Sequence, residues 1–91
     1  MPLDIRQTTR FRRDIKRLQK QGKNLTPLQT LINALVRKQT PESKFKDHKL
    51  VGSWAGHREC HIKPDWLMIY KVKENELQLI RTGSHADLFD M

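Results

Sequence analysis

The first half of the chain repeats its apolar residues with the period of an α-helix. A first stripe, spaced by four and then three residues, predicts a helix that a threonine caps and Gly22 ends. Its members are Phe11, Ile15 and Leu18, with Thr8 or Thr9 as the cap. A second stripe predicts another helix, with Thr26 as N-cap and Pro27 at the first helical position, where a missing N–H costs nothing. This stripe consists of Leu28, Leu31, Ile32, Leu35 and Val36.

Residues alternate between apolar and polar at 3–7, and strand-like runs return in the last third of the chain. Residues 39–56 hold few apolar side chains and are predicted to form a loop. The later runs are 58–63, 66–73 and 77–82, joined by turns at Pro64-Asp65 and Glu74-Asn75. The order β-α-α-β-β-β predicts one α+β domain over residues 1–91. Two N-terminal helices would pack on one face of a largely antiparallel four-stranded sheet and leave the other face open to a ligand.

Composition narrows the choice of partner. The net charge of +8 and the pI of about 10.1 favour a polyanion, and nucleic acid is the most common one. The single cysteine excludes an internal disulfide and is typical of a reducing cytoplasm. No stretch approaches the ~20 apolar residues of a membrane span. We therefore expect a cytoplasmic protein that has no membrane partner.

The positive charge is concentrated near the N-terminus. Residues 1–25 contain eight basic and two acidic side chains, and the basic ones avoid the apolar stripe of the first helix. A solvated helix surface would explain this pattern, but the excess of one sign favours contacts with phosphates. The candidate RNA-binding residues on this helix are Arg10, Arg13, Arg17 and Lys20.

All four histidines lie in the second half of the chain, so a metal site is the first chemistry to consider. His57 and His61 are four residues apart, but in a strand that interval spans about 13 Å, too far for one zinc ion. Cys60 and His61 are adjacent in a strand, so their side chains diverge and cannot act as a nucleophile and base. We therefore predict that Cys60 is a small core residue and that the protein uses no metal and no cofactor.

Metal-free acid–base chemistry fits the same residue types. Histidines take and return protons near neutral pH, and an arginine stabilises charge that develops on a phosphate oxygen. An exposed aromatic side chain can stack on an unpaired base. RNA carries its own nucleophile, the 2′-OH, so cleavage would need only a base, an acid and a cation.

Residues 46–89 resemble a known family through three spaced motifs. They are D-H-x-L-x-G-x-W-x-G-x-R, H-I-x-P-D-W-x-x-I-Y and R-T-G-S-H-x-x-L-F as they stand in this chain. They are similar to RelE/ParE-superfamily toxins of type II toxin–antitoxin systems, and most similar to the YafQ branch. The resemblance implies an endoribonuclease that cuts mRNA in the ribosomal A site and arrests translation. Its implied partners are an antitoxin protein, small-subunit rRNA and mRNA, with operator DNA bound through the antitoxin.

The resemblance also implies a set of site residues. His61 and His85 would be the acid and base, Arg81 the phosphate clamp, and His48 and Asp65 their assistants. Trp66 and Phe89 would shape the RNA site. At position 57 the chain has His where relatives carry an aromatic residue such as Tyr, and the role of His57 stays open.

Each of these assignments has a simpler alternative. Trp66 shares a strand face with Met68 and Tyr70, so it could be a core residue. Asp65 could act only as a turn former, and Arg81 could pair with Asp87. Two other functions also stay open: a non-catalytic RNA- or ribosome-binding module, and a ParE-like inhibitor of a protein target such as gyrase.

Overall fold

The computed structural model describes residues 2–89 and contains five strands and three helices in that range. They are β1 (Asp4–Gln7), α1 (Thr9–Lys20), α2 (Thr26–Val36), β2 (His48–Lys49), β3 (Arg58–Lys63), β4 (Trp66–Lys73), β5 (Glu76–Gly83) and α3 (His85–Phe89). Short 3-10 turns occupy Ser43–Phe45 and Gly52–Trp54. None of the helices in this part of the chain is long and apolar enough to cross a membrane.

The strands form one mixed sheet in the order β1-β5-β4-β3-β2. β1 runs parallel to β5, and the other neighbouring pairs are antiparallel. The predicted α+β class is confirmed, but the sheet has five strands rather than four. The extra strand, β2, has only two residues and lies in the segment predicted to be loop, where no alternation could mark it. It pairs with the start of β3.

The two faces of the sheet bury different side chains. Trp66, Met68 and Tyr70 of β4 face the main core, beneath α1 and α2. Leu67 and Ile69 face the other way and pack with Leu88 of α3. The second face is therefore covered in part by α3, a helix of five residues, and in part by Leu50 and Trp54 of the segment before β3.

The helix caps explain where α1 and α2 begin. Thr8 caps α1, since its Oγ1 accepts a hydrogen bond from the Phe11 amide at 3.0 Å and donates one to Ile80 O at 2.7 Å. The predicted cap of α2 is wrong. Thr26 is the first helical residue, and the Asn24 side chain accepts its amide hydrogen bond at 3.0 Å.

Candidate active site

Five rings form a continuous row on the sheet face that α1 and α2 leave uncovered. The centroids of His48 and His61 are 5.9 Å apart, and those of His61 and His85 are 6.0 Å apart. The row continues from His85 to Phe89 at 6.5 Å and from Phe89 to Trp54 at 6.1 Å. Strands β2 and β3, helix α3 and the loop before β3 each contribute to it.

Two carboxylates hold the three histidines. Glu59 is buried, and its Oε1 lies 3.0 Å from His61 Nε2 and 3.5 Å from His48 Nε2. Asp65 Oδ1 lies 2.9 Å from His85 Nδ1 and also accepts the His85 amide at 3.2 Å. These two bonds from His85 hold the pKa of the Asp65 carboxyl below its usual value. His61 and His85 therefore each keep one ring nitrogen near a carboxylate and can present the other to a ligand, whereas His48 Nδ1 is engaged with Lys46 O at 2.7 Å.

A half-buried carboxylate beneath the sheet, that of Asp47, fixes β2 beside β3. Asp47 accepts hydrogen bonds from Arg58 at 2.9 Å, from the Tyr70 hydroxyl and from the Cys60 thiol at 3.4 Å. Burial opposes its ionisation, but these three bonds outweigh burial, so the pKa of Asp47 lies below its usual value. Because the next residue, His48, pairs with Glu59 across the strands, this anchor also places His48 in the row.

Cys60 is part of the same buried network. Burial raises the pKa of its thiol to about 12, so the side chain stays protonated at neutral pH. It is fully buried in the main core. The prediction that Cys60 is a core residue is therefore confirmed.

Arg81 forms an ion pair with Asp14 of α1, a buried carboxylate. Its Nε and Nη2 donate to the two Asp14 oxygens at 2.8 and 3.0 Å, and the Thr82 amide adds a bond at 3.1 Å. The bond to Asp14 raises the pKa of Arg81. The alternative pairing of Arg81 with Asp87 is wrong, since Asp87 contacts Arg17 instead. A phosphate could reach only the part of the Arg81 guanidinium that Asp14 leaves uncovered.

The structure corrects the predicted RNA-binding role of Trp66. Its side chain is only 4% exposed, and its indole N–H donates to Thr82 Oγ1 at 3.0 Å within the core. The alternative interpretation, a core tryptophan, is the correct one. Trp54 is the tryptophan that lies in the row, next to Phe89, the other aromatic residue expected to shape the RNA site.

The basic residues of α1 fall into two groups. Arg10, Arg13 and Lys20 are exposed, as a phosphate-binding surface requires. Arg17 is half-buried and donates to Asp14 at 2.8 Å and to Thr82 O at 3.2 Å. The guanidinium of Arg17 is thus engaged inside the molecule, unlike those of Arg10 and Arg13, and an RNA contact through it would compete with these bonds.

The sequence analysis does not identify Trp54 of the row, nor Glu59, the carboxylate that contacts His48 and His61. Glu59 shares strand parity with His61, which was a usable signal, and Trp54 lies within the first motif. The spacing of His57 and His61 along one strand also does not reveal donors that meet from neighbouring strands. One nitrogen or oxygen from each of His48, Glu59 and His61 lies within 4.8 Å of the others, a set of zinc-type donors that comes together across strands.

His57 lies outside this group of donors. Its ring packs edge-on against Trp54 at 5.5 Å, and its Nδ1 is 3.2 Å from Trp54 O. Through this contact His57 supports the indole of Trp54.

Comparison with known proteins identifies the family to which this chain belongs. A family model described as a bacterial toxin of type II toxin–antitoxin systems, YafQ, matches residues 3–90. The chain belongs to the YafQ family of bacterial type II toxins. The mRNA interferase toxin YafQ of Escherichia coli K12 is 40% identical over 87 residues, covering 94% of this chain and 95% of that protein.

Solved structures agree over nearly the whole chain. The toxin in the E. coli DinJ–YafQ toxin–antitoxin complex has a TM-score of 0.90 at 39% identity, covering 98% of this chain and 99% of its own. A metal-bound toxin from Helicobacter pylori has a TM-score of 0.90 at 43% identity, covering 96% and 99%. The family and fold implied by the three motifs are therefore confirmed, and the prediction of an endoribonuclease agrees with the name of the E. coli relative.

Proposed function

We propose that this protein is a ribosome-dependent endoribonuclease that cuts mRNA in the A site and so inhibits translation. The observation that carries the proposal is the pair His61 and His85. The centroids of their rings are 6.0 Å apart on the sheet face opposite α1 and α2. Glu59 contacts His61, and Asp65 contacts His85. A phosphodiester can lie between two such imidazoles.

The chemistry follows from which nitrogens are engaged. Asp65 holds Nδ1 of His85, so Nε2 faces the substrate; Glu59 holds Nε2 of His61, so Nδ1 faces it. One histidine removes the proton of the 2′-OH, and this oxygen attacks phosphorus. The other protonates the departing 5′-oxygen, giving a 2′,3′-cyclic phosphate and a free 5′-OH. His48 assists through its shared contact with Glu59.

Charge and stacking complete the reaction centre. Arg81 contributes a fixed positive charge, stabilised by Asp14, at the end of the strand that leads to His85. Phe89 and Trp54, at the far end of the row, offer ring faces or edges on which an unpaired base can stack. These groups hold the nucleotide, whereas the histidines move its protons.

The openness of the site supports dependence on the ribosome. A free ribonuclease must bend RNA until the 2′-oxygen, phosphorus and 5′-oxygen lie in line. Here the row lies on one exposed sheet face, and the basic surface of Arg10, Arg13 and Lys20 lies on a separate helix. That surface would bind rRNA while the ribosome presents mRNA already bent.

An antitoxin is the second partner that we propose. The E. coli relative has been solved in complex with the antitoxin DinJ. A cognate antitoxin of acidic character would complement the net charge of +8 and mask the row, the basic helix, or both. Contact with operator DNA would come through that antitoxin. The YafQ match favours this function over both a non-catalytic RNA-binding module and a ParE-like inhibitor of gyrase.

The deciding experiment compares cleavage of one mRNA with and without programmed ribosomes, in excess EDTA with ribosome integrity controlled. We expect rapid cleavage only on ribosomes, with 2′,3′-cyclic phosphate or 3′-phosphate ends. Ends carrying 5′-phosphate and 3′-OH would indicate attack by water, usually metal-assisted, and would overturn the mechanism. Equal rates without ribosomes would overturn the ribosome dependence. A protein that binds ribosomes without cutting would support the non-catalytic alternative.

A further inference from the structure

The position of His85 depends on α3, a helix too short to be stable by itself. Isolated helices of five residues do not persist in water, because nucleation is unfavourable and few hydrogen bonds follow it. Ser84 and Asp87 form reciprocal caps: the Ser84 amide donates to Asp87 Oδ2 at 3.1 Å, and the Asp87 amide donates to Ser84 Oγ at 3.1 Å. Since His85 follows Ser84 directly, whatever holds Asp87 also fixes the start of the helix that carries the imidazole.

Arg17 of α1 supplies that hold from across the molecule. Its Nη1 donates to the buried Asp14 at 2.8 Å. Its Nη2 lies 3.2 Å from Thr82 O and 3.4 Å from Asp87 Oδ2. One guanidinium therefore bridges α1, the end of β5 and α3, and we call the chain Asp14–Arg17–Asp87 the guanidinium bridge.

The backbone at Gly83 leaves room for this bridge. A Cβ at this position would lie 2.6 Å from Arg17 Nη2 and 3.0 Å from Asp87 Oδ2, so the two side chains of the bridge would have to shift. The φ of +154° is likewise one that L side chains rarely adopt. The strand end is thus shaped to let Arg17 reach Asp87.

The bridge uses the two terminal nitrogens of Arg17 and not its Nε. Arg17 Nε is buried and finds no acceptor within residues 2–89, which is unfavourable for a donor removed from water. Nη2 reaches Thr82 O and Asp87, which lie on either side of His85 along the chain, while Nη1 stays with Asp14 of α1.

We propose that Arg17 is a positioning residue: through Asp87 it sets the place of the His85 imidazole opposite His61. The proposal rests on the proposed catalytic role of His85 and adds a residue that would not touch the RNA. It differs from a phosphate contact, which would change substrate binding rather than turnover.

Two substitutions break the bridge at different points. Arg17→Met keeps the aliphatic stem and removes the guanidinium, whereas Asp87→Asn removes the charge but keeps an oxygen that can cap Ser84. Both should lower kcat on programmed ribosomes about 10- to 100-fold with KM nearly unchanged, as expected when a reacting group is misplaced. The kcat of Arg17→Lys should lie between those of the parent and Arg17→Met, because one ammonium cannot bridge three groups as a guanidinium does. The matched control Arg37→Met removes an exposed arginine at the end of α2 and should leave both constants unchanged.

Histidine NMR separates positioning from a general loss of structure. In Arg17→Met and Asp87→Asn the ring resonances of His85 should move while those of His48 stay in place. Asp87 is exposed, so Asp87→Asn should fold even if Arg17→Met does not. A raised KM with unchanged kcat in Arg17→Met would overturn the proposal and make Arg17 a phosphate contact. Unmoved His85 resonances in both variants would also overturn it.

The proposed function has its own separate readout. If His85→Ala stayed fully active, the catalytic assignment would fail, whereas the NMR shifts would still show whether the bridge positions the ring. If His85→Ala were inactive and Asp87→Asn kept the full kcat, only the positioning role would fail.

Discussion

Carboxylates lie on both sides of the sheet, but they have different partners on each side. On the helix side, Asp14 and Asp47 are held by arginines, whose charge does not change near neutral pH. On the open side, Glu59 and Asp65 are held by histidines, which exchange protons in that range. Under the proposed mechanism, carboxylates therefore stabilise the fold on one side and orient an acid–base pair on the other. The residue type alone does not separate these roles; the partner does.

Removing a histidine from the open side should have the largest effect. His61→Ala and His85→Ala should each lower cleavage on ribosomes by about 10²- to 10⁴-fold, the usual contribution of a general acid or base. Thermal melting should change little, because both rings are partly exposed. The control is His57→Gln, which removes an imidazole outside the group held by Glu59 and Asp65. Toxicity that survived both alanine changes in a well-expressed protein would contradict the assignment.

On the helix side the expected loss is in stability instead. Asp14→Asn leaves two arginines without their buried counter-charge and should lower the free energy of unfolding by about 3 kcal/mol, as when one partner of a buried pair is removed. Urea unfolding measures this directly. A variant that melted like the parent would show that the Asp14 network does not stabilise the fold.

Acid should separate the two sides further. Burial favours the protonated forms of Asp14 and Asp47, but hydrogen bonds from arginines and their neighbours outweigh it and hold both pKa values below about 3.9, the ordinary value. The folded state thus binds fewer protons than the unfolded state, so this stability is present above that pH and is lost as pH falls through the folded pKa values. Asp14→Asn should flatten the acid limb of the stability curve. An unchanged limb would mean that Asp14 titrates alike in both states.

Sequence patterns predicted the helix side better than the open side. The bounds of β3 and β4 follow from alternation and two turns, and the α1 cap follows from Thr8. Trp66 was the ambiguous residue, since a motif assigned it to RNA while its parity with Met68 and Tyr70 indicated core.

The open side depends on contacts that sequence spacing does not show. Glu59 meets His48 only because β2, two residues long, pairs with β3. Arg17 contacts Asp87, which is 70 residues away in the sequence. In the sequence alone, Arg17 therefore cannot be distinguished from the other basic residues of α1. The roles of such residues follow from their tertiary partners, which no periodicity encodes.

The two tryptophans offer a matched pair across the sheet. Trp66→Ala should lower the free energy of unfolding by about 3–5 kcal/mol, because it empties a buried site. Trp54→Ala should leave stability nearly unchanged and weaken substrate binding by about 1–3 kcal/mol if a base stacks there. Melting curves and KM on ribosomes measure the two losses. The reverse pattern would restore Trp66 as the RNA contact.

The smallest effect per residue is expected on the basic face of α1. Each lost phosphate contact should reduce the slope of log affinity against log salt by about 0.7–0.9. The test variant replaces Arg10, Arg13 and Lys20 with Gln, and the charge-matched control replaces Arg37, Lys44 and Lys73, which are also exposed. The test variant should bind ribosomes weakly and with a shallower salt dependence, yet keep the kcat of the bound fraction, because the rings of the open face are unchanged. The control should keep the parent slope. If the salt dependence became equally shallow in both variants, net charge rather than the α1 surface would govern binding. The division between a helix that binds rRNA and a sheet face that cleaves mRNA would then be wrong.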